Sequence, residues 1–452
     1  MKNKIKKNQY DRMINTPIPK LIISLSIPTI ISMMVTNIYN LADTAFIGTI
    51  NTSASGAVGV VFGFMAILQA IGFTFGQGSG SIISRMLGAK NVDGASKVAT
   101  TALFFSFTIA IVACVICGFL LDPLVMLLGS TKTIAPYAKT YITYILITGP
   151  FSCLSFTLNN ILRYEGKAFF GMIGLGTGAI LNIGGDALCI FGLNMGISGA
   201  GLSTAISQVI SCIILLVPFL RGQTQCRLFA KNICFDFKMI GNVILTGFPS
   251  MLRQGLNSIS TILLNNAAAV YSDAAVAGMG IVNRLFFFLF SVAIGVGQGF
   301  QPVAGFSYGA KKYHRLRDAY KFTFLFSEAL VLILGTVLFI LAPEAAWLMR
   351  HDTAVVEVAT RALRLQCVAV LVLPICMVTE MMMQSTGNKL AASILSCLRN
   401  GLLFIPSLLI LSSIRGLSGI QEAQPLAFVL AVLPTLYVVF RFFRRLPQED
   451  ET

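Results

Sequence analysis

The sequence predicts an all-α integral membrane protein in which twelve transmembrane helices form two six-helix lobes related by an internal repeat. The chain of 452 residues is 56% hydrophobic and only 11% charged, with a mean hydropathy of +0.81. This composition leaves too little polar surface for a soluble globule. Two motifs, Gln77-Gly78 and Gly88-Ala89-Lys90, recur 221 residues later as Gln298-Gly299 and Gly309-Ala310-Lys311.

The repeat extends well beyond these motifs. The same offset pairs further prolines and glycines: Pro28 with Pro249, Gly59 with Gly280, Gly76 with Gly297, and Gly166 with Gly387. Duplicated helical bundles are typical of secondary transporters, whose two halves rock about a site between them. The repeat therefore favours transport across a membrane.

Six apolar stretches in each half are long enough to span a bilayer, for which about 20 residues suffice. The predicted spans are 21–48, 57–84, 95–121, 135–161, 169–193, 196–220, 239–271, 277–307, 319–342, 354–385, 389–413 and 421–443. Residues 221–238 form the longest polar stretch between spans. We therefore predict a first lobe at 1–220 with a basic N-terminal tail, a cytoplasmic linker at 221–238, and a second lobe at 239–452 with a cytoplasmic tail.

Basic residues are distributed unevenly between the two sides of the predicted membrane. With the N-terminus inside, 24 of the 33 Lys and Arg residues lie in segments predicted to be cytoplasmic. This positive-inside pattern predicts a multi-pass membrane protein with both termini in the cytoplasm. It also accounts for the net charge of +15 without a nucleic-acid partner. The lipid bilayer is the predicted partner, and we expect a monomer.

Several functional classes lack the residues that they require. The first apolar stretch is too long for a signal-peptide core, so we expect it to be retained. No phosphate-binding loop of the Gly-x-x-x-x-Gly-Lys-Ser/Thr type is present, which argues against ATP-driven pumping. Cys114 and Cys117 lie in an apolar span without further ligands, and His314 and His351 fall in loops on opposite sides. We therefore predict neither an enzyme nor a cofactor.

Polar side chains cluster on three spans of the first lobe. In the first span Asp43 shares a helix face with three polar residues, because offsets of 3, 4 and 7 residues return near the same angle. These three are Thr36, Tyr39 and Asn40. Asn182 and Asp186 stand one turn apart in the fifth span, and the sixth carries a stripe of Thr204, Ser207, Gln208 and Ser211.

These side chains supply oxygen atoms that suit a hard monovalent cation, or a proton shared between acids. An ionised carboxylate in a membrane costs at least about 2.5–3.5 kcal/mol, so it marks function by default. We therefore predict that the cluster binds H⁺ or Na⁺. The alternative is a satisfied polar core in which neither carboxylate changes state.

The second lobe keeps different charges. At the 221-residue offset Asp43 corresponds to Leu264, and Asp186 to Ser407. The buried charges there are Arg253, Arg284, Glu328, Glu380 and Arg399. This set predicts either internal ion pairs or a second coupling or substrate site, and the sequence leaves both open.

Taken together, the motifs resemble those of the multidrug and toxic compound extrusion (MATE) family over essentially the whole chain. The matching segments are 28–48 with Asp43, 77–80, 84–90, 163–167, 182–186, 199–204, 298–302 and 305–311. The resemblance implies a two-lobed antiporter of twelve helices that exports organic cations and drugs while admitting Na⁺ or H⁺. It also implies that Asp43, Asn182, Asp186 and Thr204 form the coupling-ion site. Some relatives have an essential acid in the seventh helix, whereas 239–271 contains no Asp or Glu.

Three other functions stay open from the sequence. A lipid-linked saccharide flippase of the same superfamily would need a basic cavity, for which Arg253 and Arg284 are the only residues in favour. A membrane-embedded enzyme would need a nucleophile or a metal cluster. A passive channel is also compatible with an internal repeat. Uphill transport in vesicles would distinguish an antiporter from a channel.

Overall fold

The structure, a computed structural model, describes residues 2–450, with the side chains of 9–51 and 53–450. The described chain is helical almost throughout. The first repeat contains α1 (Lys2–Asn15), α2 (Ile18–Gly48), α3 (Thr52–Gly88), α4 (Val92–Phe119), α5 (Leu121–Leu127), α6 (Ala135–Tyr164), α7 (Ala168–Asp186) and α8 (Gly196–Leu220). A π-helical segment, Ala187–Gly192, extends α7.

The second repeat has the same order of long helices. It contains α9 (Phe237–Ala269), α10 (Asp273–Gly309), α11 (Tyr313–Ile340), α12 (Ala342–Met349), α13 (Thr353–Ala369), α14 (Leu373–Thr386), α15 (Lys389–Cys397), α16 (Phe404–Arg415) and α17 (Leu417–Arg445). A 3₁₀ turn joins α13 to α14, and the π-helical segment Leu398–Leu402 joins α15 to α16.

The prediction of twelve spans is confirmed. In the described chain, eleven helices are long and apolar enough to cross a membrane. The remaining predicted span coincides with α9, a helix of 33 residues. Each predicted stretch coincides with one of these twelve helical spans.

The repeat is also visible in the backbone. The caps before α3 and α10 are Asn51 and Ser272, 221 residues apart, and each side chain accepts from an N–H in the first turn, at 2.7 and 3.0 Å. The turns after these two helices contain Lys90 and Lys311, whose φ angles of 61° and 58° lie in the left-handed region. Few non-glycine residues adopt this conformation. The duplication therefore preserves turn geometry as well as sequence.

The chain packs as two compact units. Unit 1 comprises the chain up to Ile14 and Ile31–Gly247, and unit 2 comprises Asn15–Ile30 and the chain from Phe248 onward. The divisions fall within α2 and α9, which occupy equivalent positions in the two repeats, whereas the predicted lobes 1–220 and 239–452 follow the sequence repeat. In unit 1, α6 packs against α3, α4, α7 and α8, and in unit 2, α10 packs against α11, α13 and α14.

Glycine allows the first part of α9 to pack closely against α3 in unit 1. A Cβ atom at Gly247 would overlap the carbonyl oxygen of Thr74, and one at Gly78 would overlap the carbonyl oxygen of Val243. These contacts are between backbones, so the neighbours have no side chain that could move aside. Small residues at helix crossings are the usual means of such close approach in membranes.

We expect Gly247→Ala to destabilise unit 1 by about 1–3 kcal/mol or more, the usual cost of overpacking. The measurement is the Tm of the purified protein in detergent. Gly241→Ala and Gly255→Ala are matched controls on the same helix, because a Cβ there would meet no atom within 4 Å. Equal Tm values for all three variants would contradict the close packing of α9.

The segment between the repeats is held against unit 1 by a buried carboxylate. Glu165 follows α6, and its two carboxylate oxygens accept from the backbone N–H groups of Gln225 at 2.8 Å and Cys226 at 3.1 Å. Burial raises the pKa of Glu165, and these two donors oppose the effect. Two further bonds hold the segment, from Arg227 N to Ser96 Oγ and from Cys234 N to Thr101 Oγ1, each at 3.0 Å.

Replacing Glu165 should release this segment. In Glu165→Gln an amide nitrogen replaces one acceptor oxygen, which leaves a backbone N–H unpaired at a cost of about 1–3 kcal/mol. We expect faster tryptic cleavage at Arg227 and Lys231. Asp236→Asn is the control, because Asp236 lies in the same segment and its carboxylate accepts only from Lys238 N. Unchanged cleavage of Glu165→Gln relative to Asp236→Asn would show that Glu165 does not anchor the segment.

Candidate cation site

Unit 1 contains a cavity of about 190 Å³ between its helices. It is lined by residues of α2, α3, α6, α7 and α8. The polar lining residues are Thr36, Tyr39, Asn40, Gln69, Ser152, Asn182, Thr204, Ser207, Gln208 and Ser211. No basic side chain lines this cavity among the described residues.

Two buried carboxyl groups lie beside the cavity. Asp43 is 2% exposed and Asp186 is 0% exposed. The two groups are neighbours close enough to interact electrostatically, and both also act on the phenol of Tyr39. Like charges held this close in an apolar environment repel strongly, so a proton or a cation between them is favoured.

A short hydrogen-bond network connects the acids to the cavity. The Tyr141 hydroxyl lies 3.3 and 3.4 Å from the two oxygens of Asp43, and 2.9 Å from the hydroxyl of Thr204. Asn182 Nδ2 donates to the same Thr204 oxygen at 3.0 Å. Ser203 in turn donates to the backbone oxygen of Asn182 at 3.0 Å. This network fixes the side chains of α6, α7 and α8 relative to Asp43 of α2.

The network leaves acceptors without donors. Both carboxylate oxygens of Asp186 and Oδ1 of Asn182 accept no hydrogen bond from a residue that the structure describes. Buried acceptors are nearly always paired, because an unpaired one costs about 1–3 kcal/mol. Three such oxygens beside Asp43 form a set that a bound proton or a hard cation would satisfy. No His or Cys side chain lines the cavity among the described residues. The described chain also contains no group of three or more His, Cys, Asp or Glu residues that could hold a metal ion.

The backbone is irregular at the same place. Asp186 is the last residue of α7, and the π-helical turn begins at Ala187. Such single π-helical turns inside helices are frequent at functional sites. The irregularity thus marks the region that the carboxylate pair occupies.

The structure brings together all eight residues predicted for the first lobe. Six of them line the cavity directly: Thr36, Tyr39, Asn40, Asn182, Thr204 and Ser207. Asp43 and Asp186 are buried beside it. Their assignment to ion coupling stays a prediction.

The sequence analysis did not identify Tyr141, which donates to Asp43. A signal was present, because Tyr137, Tyr141 and Tyr144 follow each other at helical spacing along one side of α6. The first two make polar contacts, Tyr137 with Asn51 at 3.1 Å and Tyr141 as described above. Tyrosines at this spacing in an apolar span indicate a polar face.

Of the five charged residues predicted for the second lobe, unit 2 joins only Arg253 and Glu380 in an ion pair among the described residues. Arg253 Nη1 lies 2.5 Å from Oε1 of Glu380, and their side chains are 5% and 1% exposed. Ser396 donates to the same Glu380 oxygen at 2.7 Å. Glu328 is half-buried on α11 and Arg284 is exposed on α10, and neither takes part in an ion pair within the described residues.

A second cavity in unit 2, of about 70 Å³, lies at positions equivalent to those of the first. Asn257 and Thr261 line it, and they correspond in the repeat to Thr36 and Asn40. Leu264 lines it in place of Asp43. The two cavities are therefore related by the repeat but differ in charge.

Comparison with known proteins agrees with this architecture. The family model described as MatE matches residues 28–188 and 249–410. The chain is 27% identical over 432 residues to the multidrug export protein MepA of Staphylococcus aureus strain NCTC 8325, covering 95% of each chain. It is similar to the crystal structure of MATE in complex with MaL6, with a TM-score of 0.91, 25% identity, and coverage of 96% of this chain and 98% of that one.

A second similar structure belongs to a transporter of the MOP superfamily from Pyrococcus furiosus. It has a TM-score of 0.90 and 25% identity, and the coverage is 97% of this chain and 98% of that one. Its description states that reverse polarity of the binding pocket suggests a different function. The similarity again extends over the complete two-unit fold.

The two MatE matches coincide with the two sequence repeats and together span well over half of the chain. The buried carboxylates Asp43 and Asp186 lie within the first matched segment. The molecule is a multi-pass membrane transporter and not an enzyme, and the chain belongs to the multidrug and toxic compound extrusion (MATE) family.

Proposed function

We propose that this chain is a secondary active antiporter that exports organic cations and other amphipathic drugs in exchange for H⁺ or Na⁺. The observation that carries the proposal is the set of donor-free oxygens on Asp186 and Asn182 beside the buried carboxylate of Asp43. Membership of the MATE family and similarity to MepA, whose name states multidrug export, support the substrate class.

The proposed coupling depends on electrostatics in unit 1. When neither proton nor cation is bound, two adjacent carboxylates repel each other in a poorly solvated cavity. Entry of H⁺ or Na⁺ removes this repulsion and pairs the free acceptors. A conformation of α2 that holds the acids together is thereby favoured over one that separates them. Coupling to export then requires that drug and ion prefer different conformations.

The two candidate ions need different ligands. A proton needs only a carboxylate, whereas Na⁺ also needs neutral oxygens such as Asn182 Oδ1 and the Thr204 hydroxyl. Asn182→Ala should therefore weaken Na⁺-driven efflux strongly and H⁺-driven efflux less. Efflux by this one variant therefore distinguishes Na⁺ coupling from H⁺ coupling.

The test is efflux of ethidium and norfloxacin from proteoliposomes under separately imposed pH and Na⁺ gradients. We expect uphill efflux driven by at least one gradient. Drug movement that never exceeds its own gradient would favour a passive channel and contradict antiport. If the Asn182→Ala variant retains ethidium efflux under a pH gradient alone, the coupling ion is H⁺.

A lipid-linked saccharide flippase is less consistent with the geometry. Such a protein needs free basic side chains to hold a pyrophosphate. Of the two arginines that favoured this function, Arg253 is engaged by Glu380 at 2.5 Å in a buried pair, and Arg284 is exposed and lines neither cavity. The proposal also places the protein in the bacterial cytoplasmic membrane as a monomer, with both termini in the cytoplasm.

A further inference from the structure

The smaller cavity of unit 2 has a lining suited to negative charge. Its polar residues are amides and hydroxyls: Asn257, Ser260, Thr261, Asn283, Asn400 and Gln424. No carboxylate lines it among the described residues, and its apolar wall includes Phe290 and Phe428. The repeat-related cavity of unit 1 has two acids beside it and no basic residue in its lining. The lining of the unit 2 cavity is therefore neutral, without the acids that lie beside the unit 1 cavity.

Arg399 supplies positive charge beside this cavity. It corresponds in the repeat to Gly178, which lines the cavity of unit 1. The guanidinium is 2% exposed and stacks on two residues of the cavity wall, with its carbon 5.4 Å from the ring centre of Phe290 and 6.0 Å from that of Phe428. The second unit thus carries a buried arginine where the first unit has a glycine.

The hydrogen bonds of Arg399 are weak and incomplete. Nη1 donates to the sulfur of Met377 at 2.7 Å, and Nε donates to Oδ1 of Asn400 at 3.4 Å. Sulfur is a poor acceptor. Nη2 has no acceptor among the described residues. Burying a charged group with so few partners is costly, so an anionic acceptor at Nη2 would be strongly favoured.

Asn400 offers a second free donor at the cavity itself. Its side chain is 5% exposed and lines the cavity. Arg399 has donors only, so Asn400 must present its carbonyl oxygen to Arg399 and its amide nitrogen to the other side. That nitrogen, Nδ2, has no acceptor among the described residues. Two adjacent buried residues therefore each hold one unused donor.

No carboxylate forms a direct ion pair with Arg399 in the described chain, although Glu380 is near enough to interact with it electrostatically. Glu380 uses one oxygen for both Arg253 and Ser396, and it makes no ion pair within 4.0 Å with Arg399. This buried region thus holds two arginines and one glutamate, an excess of one positive charge. A single negative charge would balance it.

We propose that the unit 2 cavity binds a small, singly charged anion through Arg399 Nη2 and Asn400 Nδ2. The ligand is either free chloride or the carboxylate of an amphipathic substrate. A water molecule needs about 10–15 Å³ of such space, so 70 Å³ admits an ion or one functional group with a few waters. Pockets for whole drug-sized molecules are about 300–1,000 Å³, which exceeds this cavity several-fold.

The first experiment tests free anion. The Tm of the full-length protein in detergent is measured while sodium gluconate is replaced by sodium chloride at constant Na⁺ and ionic strength. We expect a saturable rise in Tm for the wild type and no rise for Arg399→Gln or Asn400→Ala. Arg284→Gln should keep the rise, because Arg284 is an exposed arginine of the same unit. If Arg399→Gln fails to fold, the chloride titrations of the wild type and of Asn400→Ala still show whether the cavity binds chloride.

The second experiment tests the carboxylate of a substrate. The Kd values of norfloxacin and its methyl ester, which keeps the amine but lacks the carboxylate, are measured by fluorescence at saturating Na⁺. A preference of about tenfold for the free acid in the wild type, lost in Asn400→Ala, would support a substrate carboxylate. A chloride effect without this preference would support a free anion. The absence of both effects would overturn the proposal, and neither measurement depends on ion-coupled transport.

Discussion

Asp43→Asn and Asp186→Asn should each abolish uphill drug efflux while leaving a folded protein that still binds drug. Asparagine has nearly the size of aspartate and keeps one oxygen, but it neither accepts a proton nor offers Na⁺ a negative charge. The carboxylates are 2% and 0% exposed, so the change is confined to the interior of unit 1. Typical coupling free energies correspond to about 5- to 150-fold changes, and we expect losses in this range or beyond.

The measurement is ethidium efflux from proteoliposomes under a pH gradient and, separately, under a Na⁺ gradient. Drug affinity and Tm are measured on the same preparations to exclude misfolding. Asp93→Asn is the matched control, because Asp93 is an exposed acid in the first turn of α4 in the same unit. Full uphill efflux by both single variants would show that the coupling ion binds elsewhere.

The two acids differ in their surroundings, and this difference predicts a further effect of Asp186→Asn. Asp43 receives a hydrogen bond from Tyr141, whereas Asp186 receives none from the described residues. A proton or cation bound at Asp186 therefore satisfies oxygens that nothing else satisfies. We expect Asp186→Asn to raise the Tm in the absence of a gradient, since it removes one of two adjacent negative charges and adds a donor.

The fold was predictable because its determinants are local in sequence. Apolar runs of about 20 residues define the spans, and the 221-residue offset aligns turns whose backbone conformation recurs, as at Lys90 and Lys311. The division of α2 and α9 between the two packing units was not predictable in this way. It depends on backbone contacts such as that of Gly247 with Thr74, between residues more than 170 positions apart.

The site was predictable only as far as helix periodicity extends. Residues on one face of one helix are neighbours by geometry, and a carboxylate in a membrane is conspicuous by its cost, so the polar residues of α2, α7 and α8 were identified. Tyr141 and Arg399 required tertiary structure. A tyrosine in an apolar span becomes part of the site only when α6 packs beside Asp43, and an arginine belongs to a cavity only when aromatic rings from α10 and α17 surround it.

Partner choice among the charges of unit 2 also needed the structure. Five charged residues were available for pairing, and of these five only Arg253 and Glu380 form an ion pair among the described residues. Sequence separation gives no reason to prefer Glu380 over Glu328. The structure therefore separates two glutamates that the sequence had treated alike.

Glu380→Gln should destabilise the protein far more than it alters the ion dependence of transport. The substitution removes the one negative charge beside Arg253, in a pair whose side chains are 5% and 1% exposed. Breaking a buried ion pair on one side costs about 3–5 kcal/mol, because the remaining charge stays buried without compensation. We expect a large fall in Tm in detergent, together with pH and Na⁺ dependences of efflux that match the wild type at a permissive temperature.

Two further variants make this expectation specific. Glu328→Gln should leave the Tm nearly unchanged, because Glu328 is half-buried and makes no ion pair within the described residues. The double variant of Arg253→Gln and Glu380→Gln should recover part of the stability lost in Glu380→Gln, because it removes the uncompensated charge and leaves two amides that can pair. A Glu380→Gln protein with wild-type Tm but shifted ion dependence would instead place part of the coupling in unit 2. Glu380 would then contribute to ion coupling and not to the stability of the fold.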